Sequence, residues 1–310
     1  MNIMVIPQST IVGFYIASAA QILLLAVALF VLQKKHPFRF TSVVVGFGVY
    51  FIASQILTSF TYRLLQMIPG FSAVFESSDH VLLYYLLLAF LTAVYMSPVA
   101  FMTLKLVRKG KWNLYEAIAS GISYWLYTAL YSCMTYINQA KIADIANKGE
   151  LETLVTEETT IDVINDYVNT ILKSASLSQC LAQVLYFITM VLMSVLIFML
   201  LYHGMKRQKP IYILYGIGIH FSSLYIAYLG TMTPIWSYCL ILLVLAAAYC
   251  TGIWFYFRWY HRQQQILLQQ RREFKERKNA EYRAKIAAKE EAAKAAAAVT
   301  EQKPDDSANE

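Results

Sequence analysis

Residues 185–225, "LYFITMVLMSVLIFMLLYHGMKRQKPIYILYGIGIHFSSLY", hold two long apolar runs around one short basic turn. The first run, with residues 178–184, is long enough to cross a hydrocarbon core of about 30 Å, which takes roughly 20 helical residues at ~1.5 Å each. The turn carries Lys206, Arg207 and Lys209, and the second run begins at once. A soluble domain has no means of burying such runs, and lipid offers no partners to an open backbone, so both read as membrane-spanning helices.

Working outward, the same grammar repeats. The chain has 310 residues, 58% of them hydrophobic, and its 45 Lys, Arg, Asp and Glu residues fall almost entirely in loops and the C-terminal tail. The apolar runs predict an all-α, polytopic bundle of seven spans, near 10–32, 41–62, 81–106, 115–138, 178–203, 211–229 and 234–259. The domains expected are a transmembrane domain over 1–260, with an acidic external loop over 139–177, and a tail over 261–310. Residues 1–10 lack Lys and Arg, and the first apolar run continues well past a small-residue cleavage site, so it is expected to be a retained helix rather than a cleaved signal.

Basic residues set the orientation. Lys34, Lys35 and Arg39 follow the first span, Arg108, Lys109 and Lys111 the third, and Lys206, Arg207 and Lys209 the fifth. The alternate loops carry Glu76 and Asp79, then the 139–176 segment with net charge −4, then no charge. The positive-inside rule predicts an inner-membrane protein with its N-terminus outside and its C-terminus in the cytosol.

Outside the membrane, "TTIDVINDYVNTILK" spaces Ile161, Ile164, Val168, Ile171 and Leu172 as one helical face after Thr160, a candidate N-cap. It predicts a short amphipathic helix on the outer surface or capping the bundle. "NKGELE" before it reads as a turn. The last span is expected to continue as a helix into the tail. Arg258–Lys278 has seven cations against two Glu, which suits anionic lipid headgroups; the overall charge of +7 does not argue for nucleic acid. Glu273–Arg277, Glu281–Lys285 and Glu290–Lys294 are favourable helical pairs, and residues 301–310 are expected to be disordered. Cys133, Cys180, Cys239 and Cys250 have no metal-ligand spacing and read mainly as packing residues, with a disulfide among the first three the alternative.

Chemistry inside the spans is sparse. No Asp or Glu lies deep in any of them, and Glu116 stands at the edge of the fourth. His220 is the one central ionisable residue, so it is the functional candidate. Its three readings are a packing and hydrogen-bonding residue, a ligand contact in a cavity, and a metal ligand. Tyr124, Thr128, Ser222 and Ser223 are candidate partners, and Gly218 with Ser222 forms a small-xxx-small face.

The segment "KGKWNLYEAIASGISYWLYTA" (109–129), together with residues 185–225 and the order of spans, resembles the YhfC-like intramembrane proteases. That group is related to the CAAX-processing and PrsW-type glutamic proteases. The resemblance implies a Glu-Glu-x-x-Arg motif near 96–100, where the chain reads "MSPVA" with Met96, Ser97 and Ala100. It implies further ionisable residues at Tyr124, Thr128, Met190 and Leu224, and a His that survives at His220. Met96, Tyr124, Met190 and His220 all fall ~13–20 Å from the same ends of their helices, counting ~1.5 Å per residue.

With no carboxylate to activate water and a single imidazole where zinc takes three protein ligands, no catalytic residue, metal or cofactor is expected. The reading that follows is a pseudoprotease, binding a transmembrane peptide or single-span protein through His220, Tyr124, Thr128 and Ser222, or acting as a scaffold. An active protease with a displaced site and a small-solute transporter or channel component are the alternatives.

Overall fold

The structure is a computed structural model that describes residues 5–75, 80–156, 159–172 and 174–301. Glu76, Asp79, Glu157, Glu158, Lys173 and the 302–310 end lie outside the described residues. Among the described residues the fold is helical, with no strand. In order run α1 (Gln8–Lys35), α2 (Thr41–Tyr50), α3 (Ser59–Gln66), α4 (Phe71–Phe75), α5 (Val81–Leu106), α6 (Leu114–Ser123), α7 (Leu126–Lys148), α8 (Ile161–Tyr167), α9 (Leu177–Arg207), α10 (Ile211–Thr231) and α11 (Ile235–Glu301). Six stretches are long and apolar enough to cross a membrane: α1, Thr41–Gln66, α5, α9, α10 and the first part of α11. The fourth expected span, 115–138, forms two helices, α6 and α7, that meet at Tyr124–Trp125.

Local chemistry explains the helix ends. Asn113 accepts from the Glu116 N–H (2.7 Å) while the Glu116 carboxylate accepts from the Asn113 N–H (2.9 Å), a complete capping box at the start of α6. Ser176 and Gln179 repeat the device at the start of α9. Lys34 and Lys35 close α1, and Lys206 and Arg207 close α9, where cations favour the carbonyl end of a helix. The turn expected at "NKGELE" is present: Gly149, at φ 75°, ends α7 in the left-handed region.

α9 is the central helix. About 67% of its most apolar window is buried inside the protein, against 22% for α1. It packs on α1, α5, α6 and α10, while α1 also packs on α7, α5 on α10, and α2 on α6. Small residues set the close approaches, as expected where lipid supplies no hydrophobic drive between helices. A Cβ on Gly121 would lie 2.7 Å from Val195 Cα, and one on Gly13 would lie 3.1 Å from Cys180 Sγ. A Cβ on Gly46 would collide with the Ser120 carbonyl and the Ser123 hydroxyl. The Gly218–Ser222 face expected from sequence is not a packing face. Nothing lies within 4 Å of a Cβ built on Gly218, whereas one built on Gly216 would lie 2.6 Å from Ser97 Oγ. The buried face of α10 runs Gly216, His220, Ser223, Ala227, Gly230, a register rotated away from the one expected.

The acidic loop caps the bundle. Ile164, Val168 and Leu172 are buried with Ile6, Ile11, Phe14, Ala140, Ala143 and Cys180 in one apolar cluster. Ile161 is half-buried and Ile171 exposed, so the apolar face is narrower than expected because residues 168–172 open into a π-helical turn. Thr160 is at the N-cap position in extended backbone, but its side chain makes no capping bond. Cys133, Cys180, Cys239 and Cys250 are all free, and the Cys133 thiol pairs with the Ser18 hydroxyl at 3.0 Å.

Residues from Ile253 onward form a separate compact unit. The expected helical tail is present, since α11 runs unbroken from Ile235 to Glu301. Its residues 264–294 are solvent-exposed, and Gln269 donates to Glu273 at 3.0 Å along the helix.

Candidate functional site

The junction between α6 and α7 positions the site. Tyr124 still donates to the Ser120 carbonyl (3.0 Å), and the next bond across the junction runs from Ala129 to Trp125 (2.9 Å). Between them Ser194 of α9 reaches in and donates to the Gly121 carbonyl at 2.7 Å. A side chain inserted into the helical ladder is a recognised cause of a break. Gly121 lets α9 come this close. The sequence "SGIS" therefore bends the fourth span where the chain passes the middle of the bundle.

At the break the Tyr124 ring, 1% exposed, lies edge-on to His220 of α10 with centroids 6.3 Å apart. Tyr50, Trp125 and Phe198 surround Tyr124 at 5.2, 5.5 and 6.3 Å. His220 is fully buried, and both of its ring nitrogens are without a hydrogen-bond partner. The Trp125 indole N–H is also buried and unpartnered, while the Thr128 hydroxyl is buried against the Tyr50 phenol. Native interiors leave few such groups, so several on adjoining residues mark a place where something else is meant to bond.

The other expected positions can be placed one by one. Met96, Ser97 and Ala100 are fully buried on α5, and the Ser97 hydroxyl points at the Met96 sulfur (3.8 Å). Met190 is fully buried on α9, one turn before Ser194. Leu224 is buried one turn after His220. Thr128 is half-buried. Ser222 is exposed and donates to its own helix at Gly218 (2.7 Å), so it stands on the opposite face from His220. Ser223 is bonded to the Ile219 carbonyl and the Tyr249 hydroxyl. Of the candidate partners, Tyr124 alone makes a ring contact with His220.

Sequence reasoning passed over the second span. Residues Phe51–Thr58 are π-helical, a rare geometry that concentrates at functional sites, and Tyr50 just before them touches Tyr124. Ser54, Gln55 and Thr58 in an otherwise apolar run were the available signal. Before the break α2 packs along α6. Beyond it the π-helical segment packs mainly on α5 and α7 on α1, while the Tyr127 ring of α7 still meets Tyr50 and Phe51 at 5.5 and 6.3 Å. Tyr50, Tyr186 of α9 and Tyr228 of α10, all partly buried, are electrostatic neighbours of one another and of Tyr124.

The fold and this centre define a polytopic membrane protein with a buried polar point at a broken helix. The chain matches the YhfC intramembrane metalloprotease family over residues 20–244, and it belongs to that family. No curated protein and no solved structure matches it.

A metalloprotease needs a metal, and the donors here do not fit one. Zinc takes three protein ligands from His, Cys, Asp or Glu at catalytic sites. Among the described residues no three such side chains come together, and His220 is the single imidazole at the centre. At the positions that the resemblance implies, Met96, Ser97, Ala100, Tyr124, Thr128, Met190 and Leu224 offer only thioether, hydroxyl, phenol and alkyl groups. Glu116 is buried, but its carboxylate is engaged in the α6 capping box, about two turns or ~12 Å from Tyr124 along the chain.

Proposed function

We propose that this chain is a non-catalytic member of the YhfC family that binds a transmembrane segment of a partner protein. The segment docks beside the α6–α7 junction, and its polar backbone or side-chain groups bond to Trp125 and His220, with Thr128 at the edge of the contact. The supporting observation is the buried, unpartnered His220 ring and Trp125 indole beside Tyr124, with no group of three metal-ligating side chains among the described residues. Family membership argues for peptide recognition, and loss of the ligand and base residues argues against cleavage. Removing a general base alone costs about 10²–10⁴-fold in rate.

In this reading α6 and α7 make one broken crossing, giving seven. The loops with Arg39, Lys111 and Lys206 face the cytosol, with the N-terminus outside and the C-terminus inside. His220, Tyr124 and Thr128 contact the guest; Ser222 contacts lipid. The basic start of the tail associates with anionic headgroups.

The experiment is site-specific photocrosslinking in cells from Thr128 and, as control, from Ser222. A single-span protein captured from Thr128 and absent from Ser222 is the expected result. Equal capture from both positions, or capture of lipid alone, would refute the binding cleft.

A further inference from the structure

A second site lies at the opposite end of the bundle from the acidic cap, where three separate segments meet. The α1–α2 link brings Arg39, the α5–α6 link brings Lys111 and Trp112, and the end of α9 brings Lys206. Together with Asn113 and Glu116 they line an open cavity of about 450 Å³.

The cavity has a fixed floor and exposed cationic walls. Trp112 is 3% exposed, and its indole N–H donates to the Val107 carbonyl at 3.0 Å, which holds the ring in place. Glu116 and Asn113 are locked together by the capping box. Arg39, Lys111 and Lys206 are exposed, so three long cations confront one carboxylate that is already accepting a backbone N–H. Lys206 also extends over the Tyr202 ring at 5.6 Å. Such a cavity is too polar for an acyl chain and has the charge for a phosphate. Basic pockets between helices at the cytoplasmic boundary are suited to acidic lipid headgroups.

We propose that this cavity binds the phosphate of an anionic phospholipid headgroup, with Arg39 and Lys111 as its main ligands and the Trp112 ring as its floor. The lipid source, rather than free phosphate, is favoured by apolar side chains flanking the cations in sequence. Phe40 follows Arg39 and is 76% exposed, and Leu106, just before Val107, is 68% exposed. Both offer surface to an acyl chain. All of its lining residues belong to the Met1–Gly252 unit, whereas the basic tail belongs to the other.

The test uses the full chain, purified and placed in nanodiscs of phosphatidylcholine with or without phosphatidylglycerol, with thermal unfolding and retained lipid read by native mass spectrometry. Inorganic phosphate in the phosphatidylcholine discs is the second arm. The wild type should be stabilised by phosphatidylglycerol and retain it on extraction. The double variant Arg39→Gln/Lys111→Gln should lose this preference by about twenty-five-fold, at about 1 kcal/mol or fivefold per cation. Arg271→Gln/Arg272→Gln in the tail should keep it. The proposal is overturned if the pocket variant keeps its preference, if only the tail variant loses it, or if phosphate alone reproduces the full stabilisation. Both pocket positions are exposed, and unchanged melting of the variant in phosphatidylcholine confirms that it is folded.

Discussion

Replacing His220 with leucine should make the free protein more stable. A neutral imidazole presents one donor nitrogen and one acceptor nitrogen. At His220 both are fully buried and neither is bonded. An orphaned buried polar group costs about 1–3 kcal/mol. Leucine is close in volume and fills the space beside Tyr124 without that cost. Part of the gain is returned, because a chain unfolded within a micelle also finds polar partners, and measured side-chain hydrogen bonds in membranes average about 0.6 kcal/mol. A net gain of about 1–2 kcal/mol is expected.

The assay is reversible unfolding by SDS in mixed micelles, followed by far-ultraviolet circular dichroism. Ser222→Ala serves as control, since Ser222 is exposed and bonds to its own helix, and it should stay within about 0.5 kcal/mol. If His220→Leu lowers stability by more than about 1 kcal/mol, His220 has a bonded partner in the free protein, and the reasoning from an unsatisfied centre fails. Partner capture from Thr128 should move the opposite way and weaken in the same variant.

Three further outcomes follow from the packing. Gly121→Ala forces a Cβ to within 2.7 Å of Val195 Cα, which is backbone and cannot turn aside, and should cost about 1–3 kcal/mol in the same titration. Gly216→Ala should be similarly costly through Ser97, while Gly218→Ala should be neutral or slightly favourable; the reverse order would refute the α10 register. Asn113→Ala removes the side-chain half of the α6 capping box and should cost about 0.5–2 kcal/mol.

The long apolar runs made the helical bundle legible, because a run of that length has few ways to satisfy its backbone in lipid. Charges marked helix ends equally well. The break at Tyr124 was not legible, since it arises from Ser194 bonding to Gly121 across 73 positions of sequence. The facing of α10 was misread for a related reason. Gly216 and Gly218 are equivalent in composition, and only the position of Ser97 on another helix decides which one is at an interface. His220 was found because it was the lone ionisable residue at depth. The aromatic wall around it was not, because Tyr50 and Trp125 look like ordinary membrane aromatics until they are brought to Tyr124.

The central claim is that the family fold is retained without its chemistry. Its most direct measurement is cleavage of a labelled transmembrane peptide reporter by the purified chain in liposomes supplied with zinc, beside His220→Ala. The account predicts no product from either protein above empty liposomes. Product from the wild type that disappears in His220→Ala would contradict it and restore His220 to a working catalytic centre.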